Sequence, residues 1–438
     1  MPRLVRKNNK NFSQYTTQRV LQESFDTGGY LRTQMFFSDS PIIDSFGRLR
    51  VSNPTTLFDS KQIFKDHSLG NNVENFPLFF DNQETHGTGS ITTYDNNTAS
   101  TTLSVSDQVE GTRVRQTKMR FNYQPGKSIL IFKTFMLGEH VEGVVKRDGY
   151  FDEKNGLFLE DDGENYNFVV RSYVSSGSVD VKVPQSQWNI DSFDGEGLSG
   201  VKLDFTKTQI SVLDFEWLGV GRVRAGFVVG GIIYYAHEFN NANNLSTVYM
   251  STPNLPLRCE ISNDGSGGEG HITQICSSII SEGGTNHLGV LRYASTDETH
   301  VDTNVIGTVY AIIGIRLKTS YLGMSIKIID MSMLVENNNN FEWILILNPV
   351  VAGTFTYVDE SLSGVQIARG ATENTITGGY KIAGGFVSVS TRNVANNLEN
   401  ALLLGSSISG VRDEMVLCAR PLGSNANVRG GFTWRELS

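Results

Sequence analysis

The chain has 438 residues and a formal net charge of −9 at neutral pH, with 44 glycines against 10 prolines. Its length exceeds what one ordinary hydrophobic core spans, so two domains and a tail are expected, and its acidic balance argues against bulk binding of nucleic acid. The sequence has no apolar run long enough to cross a bilayer, and no apolar segment follows the basic N-terminal residues as in a signal peptide. We therefore expect neither a membrane partner nor a leader.

The first 40 residues are polar and basic and lack a sustained hydrophobic period, which predicts an extended N-terminal arm. The cations of this arm would dock on a neighbouring subunit or on an acidic surface, and a solvated tail is the alternative. The candidate partner-binding residues are Arg3, Arg6, Lys7, Lys10 and Arg19.

Short strand-like segments joined by glycine and proline turns occupy most of the remaining chain. Strands at spacings of roughly eight to twelve residues are typical of β-sandwiches and jelly rolls. We therefore predict an all-β fold of two antiparallel β-sandwich or jelly-roll domains, a large one over residues 41–295 and a smaller one over residues 296–438. One segment, residues 396–405, has instead a moderately helical pattern.

The most regular stretch runs over residues 212–239. Apolar residues there alternate with polar ones, which predicts a strand with one buried and one solvated face. Gly219 and Gly221 interrupt the alternation and predict a bulge or bend. The residues expected on the solvated face are Asp214, Glu216, Arg222 and Arg224.

Gly230-Gly231, in the same stretch, predicts a two-residue hairpin turn because both positions can adopt positive φ angles. This turn fixes which residues face one another across the hairpin. The expected pairs are Val229 with Ile232, Phe227 with Tyr234, Ala225 with Ala236 and Arg224 with His237.

Asp214 and Glu216 are the best candidates for a catalytic carboxylate pair, because residues two apart on a strand share a face. Glycosidases use two such carboxylates, one as acid and one as base or nucleophile. Sandwich-fold glucanases, however, carry carboxylates at three alternating positions, and the next position here is Leu218. Since Arg222 and Arg224 lie on the same face, surface ion pairs explain the pattern and we expect no enzyme. A glycoside hydrolase is the alternative.

The cysteines and histidines do not suggest a cofactor. The cysteines have neither CxxC nor metal-ligand spacing, which predicts three reduced core thiols, and the seven histidines are scattered. We expect no cofactor and no metal. The three cysteines are Cys259, Cys276 and Cys418.

Two charged clusters stand out elsewhere. Arg113, Arg115, Lys118 and Arg120 form a basic strand, which is expected to be a solvated face or a contact between subunits. The acidic residues within 160–165 have enough oxygens to attract Ca²⁺ but lack the ligand spacing of an EF-hand, which favours a solvated turn.

Several segments resemble virion structural proteins of tailed phages, especially phages of aquatic bacteria such as cyanobacteria. The similarity spans most of the chain and involves structural motifs without a known catalytic residue. The segments are DSFGRLRVSNPTTLFDSK (44–61), TRVRQTKMRFNYQPGKS (112–128), KRDGYFDEKNGLF (146–158), DFEWLGVGRVRAGF (214–227), YMSTPNLPLRCEI (249–261), IGIRLK (313–318), FEWILILNP (341–349) and the closing FTWRELS.

The resemblance implies a virion protein, made in the host cytoplasm, that decorates the head or forms part of a tail or fibre. By analogy it would form a homotrimer and contact major capsid or tail proteins. The alternative is a glycan-binding or receptor-binding module of a phage appendage, with Tyr123, Trp188 and Tyr235 as aromatic contacts. The possible surface or glycan contacts are Asp214, Glu216, Arg222, Arg224, Tyr235 and His237.

Overall fold

The structure is a computed structural model that describes residues 53–63, 79–284, 288–337, 339–387 and 403–437, and the backbone of two N-terminal strands. These two strands, β1 (Arg19–Phe25) and β2 (Leu31–Phe37), form an antiparallel hairpin within the region expected to be an extended arm. Arg19 begins β1 opposite Phe37. The other predicted partner-binding cations, Arg3, Arg6, Lys7 and Lys10, lie outside the described residues.

The first sandwich is built from fifteen strands in two sheets. The strands are β3 (Thr55–Ser60), β4 (Phe80–Gly87), β5 (Ser90–Asp95), β6 (Ser100–Val105), β7 (Gly111–Thr117), β8 (Ile129–Met136), β9 (Val144–Phe151), β10 (Gly156–Asp161), β11 (Tyr166–Ser172), β12 (Val179–Pro184), β13 (Gln209–Phe215), β14 (Val223–Val229), β15 (Ile232–Phe239), β16 (Leu257–Asn263) and β17 (Gly270–Ser281).

One sheet of this sandwich has seven strands in the order β12-β11-β10-β9-β16-β7-β4. The other has eight, in the order β15-β14-β13-β8-β17-β6-β5, with β3 also paired to β17. Apolar side chains at alternate positions of both sheets meet in one core, which includes Leu213 and Phe227 from one sheet and Tyr150 and Phe168 from the other. This alternation is the strand periodicity read from the sequence.

The second sandwich uses the rest of the described chain. Its strands are β18 (Val290–Ser295), β19 (Val301–Thr303), β20 (Tyr310–Leu317), β21 (Ser325–Val335), β22 (Phe341–Leu347), β23 (Val350–Val351), β24 (Tyr357–Asp359), β25 (Val365–Arg369), β26 (Ile376–Thr377), β27 (Tyr380–Val387), β28 (Leu403–Leu404), β29 (Glu414–Pro421) and β30 (Ala426–Leu437).

A five-stranded sheet, β18-β30-β21-β28 with β19 also on β30, packs on a six-stranded sheet in the order β24-β25-β20-β29-β22-β27. Trp434 and Ile328 from the first sheet share a core with Ile315 and Leu417 from the second. The short strands β23 and β26 pair with each other. All strand pairs in both sandwiches are antiparallel, and the prediction of an all-β fold of β-sandwich, jelly-roll-like domains is confirmed.

The two sandwiches divide between Ser281, the end of β17, and Val290, the start of β18. Strand β18 therefore belongs to the second sandwich, although the sequence boundary at residue 295 placed it in the first. The prediction of a helix at residues 396–405 is wrong for Leu403 and Leu404, which pair with β21 as strand β28. Residues 396–402 lie outside the described residues.

The sandwiches contact each other through buried polar groups. Lys118 Nζ lies 2.8 Å from Asp413 Oδ1, and both side chains are less than a tenth exposed. The backbone N–H of Ile408 donates to Asp81 Oδ2 at 2.8 Å, and Asp81 is also buried. The basic residue Lys118, which the sequence placed on a solvated or intersubunit face, thus joins the two halves of one chain.

Candidate functional site

The predicted contact residues lie on β13, β14 and β15 or in the connection between β13 and β14, which holds Glu216 and Arg222. The three strands form a meander at one side of the eight-stranded sheet. Gly219 and Gly221, which predicted a bulge or bend within one strand, lie instead where the chain reverses between β13 and β14. Gly219 has φ +79°, and a Cβ at Gly221 would lie 1.7 Å from the Glu216 carbonyl oxygen. The chain turns here because only glycine permits that approach.

The second reversal is the predicted one. Gly230 and Gly231 both have positive φ, +61° and +81°, as a two-residue hairpin turn requires. The expected pairs next to the turn, Val229 with Ile232 and Phe227 with Tyr234, are confirmed.

Beyond Gly226 the predicted register of this hairpin is wrong. A bulge inserts one residue into β15, so Ala225 lies opposite His237 and Arg224 lies opposite Glu238. A single extra residue shifts every later pair by one position, and a bulge of this kind has no local sequence signal in β15.

Asp214 and Arg224 face each other across the β13–β14 hairpin. Arg224 Nη2 donates to Asp214 Oδ2 at 2.6 Å, and the Tyr235 hydroxyl donates to the same oxygen at 2.7 Å. The Arg224 guanidinium also lies 4.1 Å from the centre of the Tyr235 ring. Asp214 and Arg224 are at most one per cent exposed, so the predicted surface ion pairing is wrong here and the pair is a buried one.

Asp214 and Arg224 share this face of the sheet with a second apolar cluster. Leu130, Val212, Ile233 and Tyr235 form the cluster, with Ile190 packed against it. The sequence could not distinguish a solvated face from a second buried face, because both carry polar residues at alternate positions.

The remaining candidates have separate surroundings. Glu216 follows β13 and is one per cent exposed. Arg222 Nη1 donates to Glu238 Oε2 at 3.0 Å in a half-buried pair. His237 is buried, its Nδ1 accepts the Asn189 backbone N–H at 3.2 Å, and burial lowers the pKa of its imidazole to about 4. His237 is therefore neutral at neutral pH.

Asp214 and Glu216 are not exposed as a carboxylate pair. A glycosidase needs both carboxylates in contact with the scissile bond. Asp214 is buried in its hydrogen bonds with Arg224 and Tyr235, and Glu216 is buried as well. The position that precedes Asp214 on the same face of β13 is Val212, which is also buried. The three proposed glycan-contacting aromatics, Tyr123, Trp188 and Tyr235, are buried as well, so they are not surface platforms.

A row of charged and polar residues inside the first sandwich was not predicted from the sequence. Asn82, Arg115, Cys259 and Asp148 lie side by side on four neighbouring strands. From the opposite sheet, Lys133 Nζ lies 2.5 Å from Asp148 Oδ1. Burial raises the pKa of the Asp148 carboxyl, although Lys133 opposes the rise.

Arg115 belongs to the basic strand expected at the surface, but it is fully buried. Its guanidinium donates to Gln274, Asn82 and Gln62, at 2.9, 3.1 and 2.8 Å, and lies 4.1 Å from the Phe80 ring centre. Burial lowers the pKa of Arg115 to about 9. Such long-range partners leave no local pattern in the sequence.

The sequence favoured a solvated turn for the acidic segment 160–165. At its first two residues, Glu160 and Asp161, this prediction is wrong, because both lie in strand β10. Glu160 Oε2 lies 2.7 Å from Arg147 Nε, and Glu160 Oε1 lies 2.5 Å from Lys182 Nζ. Asp161 Oδ2 lies 3.1 Å from Lys146 Nζ. Both carboxylates are buried. Across the described ranges, no cluster of three or more histidines, cysteines or acids is arranged to hold a metal ion.

Comparisons with known proteins concern the fold alone. Neither a protein-family model nor a curated protein matches the chain. A structure from work on endo-acting O-glycanases of human gut microbiota that initiate mucin breakdown is 13% identical, with TM-score 0.33, over 52% of this chain and 99% of that one. The Emp47p carbohydrate recognition domain is 8% identical, with TM-score 0.29, over 50% and 96%.

A β-1,3-glucanase from Mycobacterium marinum is 11% identical, with TM-score 0.32, over 51% of this chain and 98% of that one. Identities and TM-scores this low carry no information about activity or ligand. In the part of the chain that the structure describes, no helix is long and apolar enough to span a membrane.

Proposed function

We propose that this chain is a virion structural protein of a tailed phage, acting by non-covalent assembly with copies of itself and with neighbouring particle proteins, and not by catalysis. The resemblance of several segments to such proteins suggests the setting. The observation that carries the non-catalytic part is the burial of Asp214 in its contacts with Arg224 and Tyr235.

The best catalytic candidates therefore serve the fold. Asp214 and Arg224 neutralise each other across two strands, and Lys133 and Asp148 do so between two sheets. Buried charges are retained when they are paired, since an unpaired one would cost several kilocalories per mole. None of these groups is exposed enough to meet a substrate.

The edges of the sheets supply the surfaces for assembly. Strand β12 ends the seven-stranded sheet and exposes Val179 and Val181 to 55% and 52%. Strand β27 ends a sheet of the second sandwich and exposes Phe386 to 75%. In natural proteins an exposed sheet edge is usually covered or protected from pairing with other chains. Here a neighbouring subunit of a symmetric oligomer would cover both edges.

The direct test is the native mass of the purified chain at micromolar concentration. We expect a stable oligomer, with a trimer as the favoured state. The paired substitution Val179→Asp with Val181→Asp, or Phe386→Asp alone, should shift it towards monomer. Tyr321→Ala, which removes an exposed side chain outside strands β12 and β27, is the control. A wild-type chain that stays monomeric contradicts assembly.

The non-catalytic part is tested separately. Wild-type protein and Glu216→Gln are incubated with polysaccharides from bacterial surfaces, and released reducing ends are measured. We expect no release from either. Release by the wild type that Glu216→Gln abolishes would show a glycoside hydrolase and overturn this part of the proposal.

A further inference from the structure

The second sandwich carries a groove of about 510 Å³ on its five-stranded sheet. It lies over β18, β30 and β21, well away in sequence from the charged residues of the first sandwich. Volumes in this range are typical of sites for small ligands. Its lining includes Tyr293, Ser295, Asp297, Ser332, Leu334 and Arg429.

A glycine of β30 leaves room for the Tyr293 ring beside the groove. Gly431 lies opposite Ser295 on one side and Ser332 on the other, so no side chain of β30 stands between these two hydroxyl-bearing residues. A Cβ at Gly431 would lie 2.9 Å from the Tyr293 hydroxyl oxygen and 3.0 Å from its Cε2. The ring of Tyr293 therefore leans over the glycine and forms a wall of the groove.

The side chain of Tyr293 is 61% exposed. Leu334 lies in the same groove and is 41% exposed. An exposed aromatic ring beside a depression offers a flat apolar surface with a polar tip. This is the shape that the C–H face of a sugar ring can stack on, with its hydroxyls directed at nearby polar groups.

Polar groups are held in place around that ring. Arg429 Nη1 donates to the Asp297 backbone carbonyl at 2.7 Å, and the Arg429 guanidinium pairs with Glu336. The Asp297 carboxylate lies 2.8 Å from Arg369 Nε, and the Asp297 N–H donates to Ser295 Oγ at 3.1 Å. The groove thus combines preset charged hydrogen-bonding groups with hydroxyls.

The charges that line the groove cancel. Asp297 and Arg429 are one acid and one base, and each already has a partner of opposite charge outside the lining, Arg369 and Glu336 respectively. A phosphate, sulfate or uronate ligand would need cationic groups in excess. The balance favours an uncharged ligand rich in hydroxyls.

We propose that this groove binds a neutral oligosaccharide, with Tyr293 as the stacking platform and Asp297, Arg429 and Ser332 as hydrogen-bonding partners of its hydroxyls. The proposal concerns residues other than those that the sequence suggested for glycan contact. It is also independent of the assembly proposed above, because a particle protein can assemble with or without a sugar site.

The test uses the full-length protein in its native oligomeric state. Saturation-transfer NMR and calorimetry are run with a panel of neutral tetrasaccharides, namely β-1,4-, β-1,3- and α-1,4-linked glucans, a mannan and a galactan fragment, and with tetragalacturonate as the anionic comparison. We expect millimolar or tighter binding of at least one neutral member and none of tetragalacturonate.

Variants then locate the binding. Tyr293→Ala should weaken it by about tenfold, whereas Tyr293→Phe, which keeps the ring, should stay within about threefold of wild type. Ser332→Tyr fills the groove from the opposite strand and should abolish binding even if Tyr293→Ala proves unstable. Tyr321→Ala, the loss of a 48% exposed tyrosine elsewhere on the second sandwich, should leave binding unchanged.

Three results would overturn the proposal. One is the absence of any neutral ligand in the panel, and another is binding that Tyr293→Ala and Ser332→Tyr leave intact. The third is a preference for tetragalacturonate, which would show an anion site. None of these depends on whether the protein forms an oligomer, so the two proposals fail separately.

Discussion

Lys133 and Asp148 form an ion pair that joins the two sheets of the first sandwich, with 2.5 Å between Lys133 Nζ and Asp148 Oδ1. Lys133 comes from β8 and Asp148 from β9, and both side chains are at most one per cent exposed. Lys133 Nζ also donates to the Arg258 carbonyl at 2.9 Å. Charged groups thus act as links inside this domain.

Removing one partner of this link should destabilise the protein strongly. Lys133→Met leaves the Asp148 carboxylate buried without its cation, and we expect the free energy of unfolding to fall by about 3–5 kcal/mol. Urea unfolding followed by circular dichroism measures the loss. The double variant with Lys133→Met and Asp148→Leu should recover most of it, because both charges are gone.

Lys207→Met is the matched control, since Lys207 is exposed on the same sandwich and should change stability by no more than about 0.5 kcal/mol. Equal effects of Lys133→Met and Lys207→Met would show that the Lys133–Asp148 link does not stabilise the fold.

The Asp214 contacts predict a graded series. Tyr235→Phe removes one hydroxyl that donates to a carboxylate and should cost about 1.5–3 kcal/mol of unfolding free energy. Asp214→Ala leaves Arg224 buried beside an apolar cluster and should cost about 3 kcal/mol or more. Thermal unfolding of the two variants shows which of them loses more stability. An Asp214→Ala protein as stable as wild type would contradict a structural role for Asp214.

His237 predicts a dependence of stability on pH. Its pKa falls from an ordinary value near 6.5 to about 4 in the folded state, so the unfolded chain binds more protons between these values. The contribution of His237 to the free energy of unfolding is fully present above pH 6.5. It is lost as the pH falls towards 4, and the loss is at most about 3 kcal/mol.

His237→Asn, whose side chain can still accept a hydrogen bond, should flatten the wild-type curve between pH 6.5 and 4. Urea unfolding across this range measures the slope. A variant and a wild type with parallel curves would show that His237 does not titrate with a lowered pKa.

The cysteines should differ in reactivity. Cys259 and Cys418 are fully buried, and burial raises the pKa of both thiols, which disfavours the reactive thiolate. Cys276 is only half-buried; burial raises the pKa of its thiol, and the charge of Lys61 opposes the rise. In the native protein a thiol reagent should label Cys276 alone, and all three after denaturation. Rapid native labelling of Cys259 would contradict the closed sandwich interior.

Features that depend on neighbouring residues alone could be predicted from the sequence. The Gly230-Gly231 turn follows from two adjacent residues that tolerate positive φ, and the nearest cross-strand pairs follow from the turn. The bulge in β15 that places Ala225 opposite His237 does not follow, because no local pattern in β15 marks it. The fold class needed only the spacing and alternation of strands, and both are visible along the chain.

Burial of the charged residues was not predictable in the same way. Lys118 meets Asp413 across 295 residues of sequence, and Arg115 meets Gln274 across 159. A polar residue at an alternate position reads as solvated unless its distant partner is known. For the same reason the groove beside Tyr293 was not predictable, since its lining comes from β18, β21 and β30, which are separated in the sequence.

The measurement closest to the central claim is a cryo-electron microscopy reconstruction of intact particles of a phage that carries this chain. We expect density for both sandwiches, repeated around a symmetry axis, with strands β12 and β27 against neighbouring subunits. Purified, complete particles in which this chain is absent from both the density and the peptide mass spectrum would contradict the proposal.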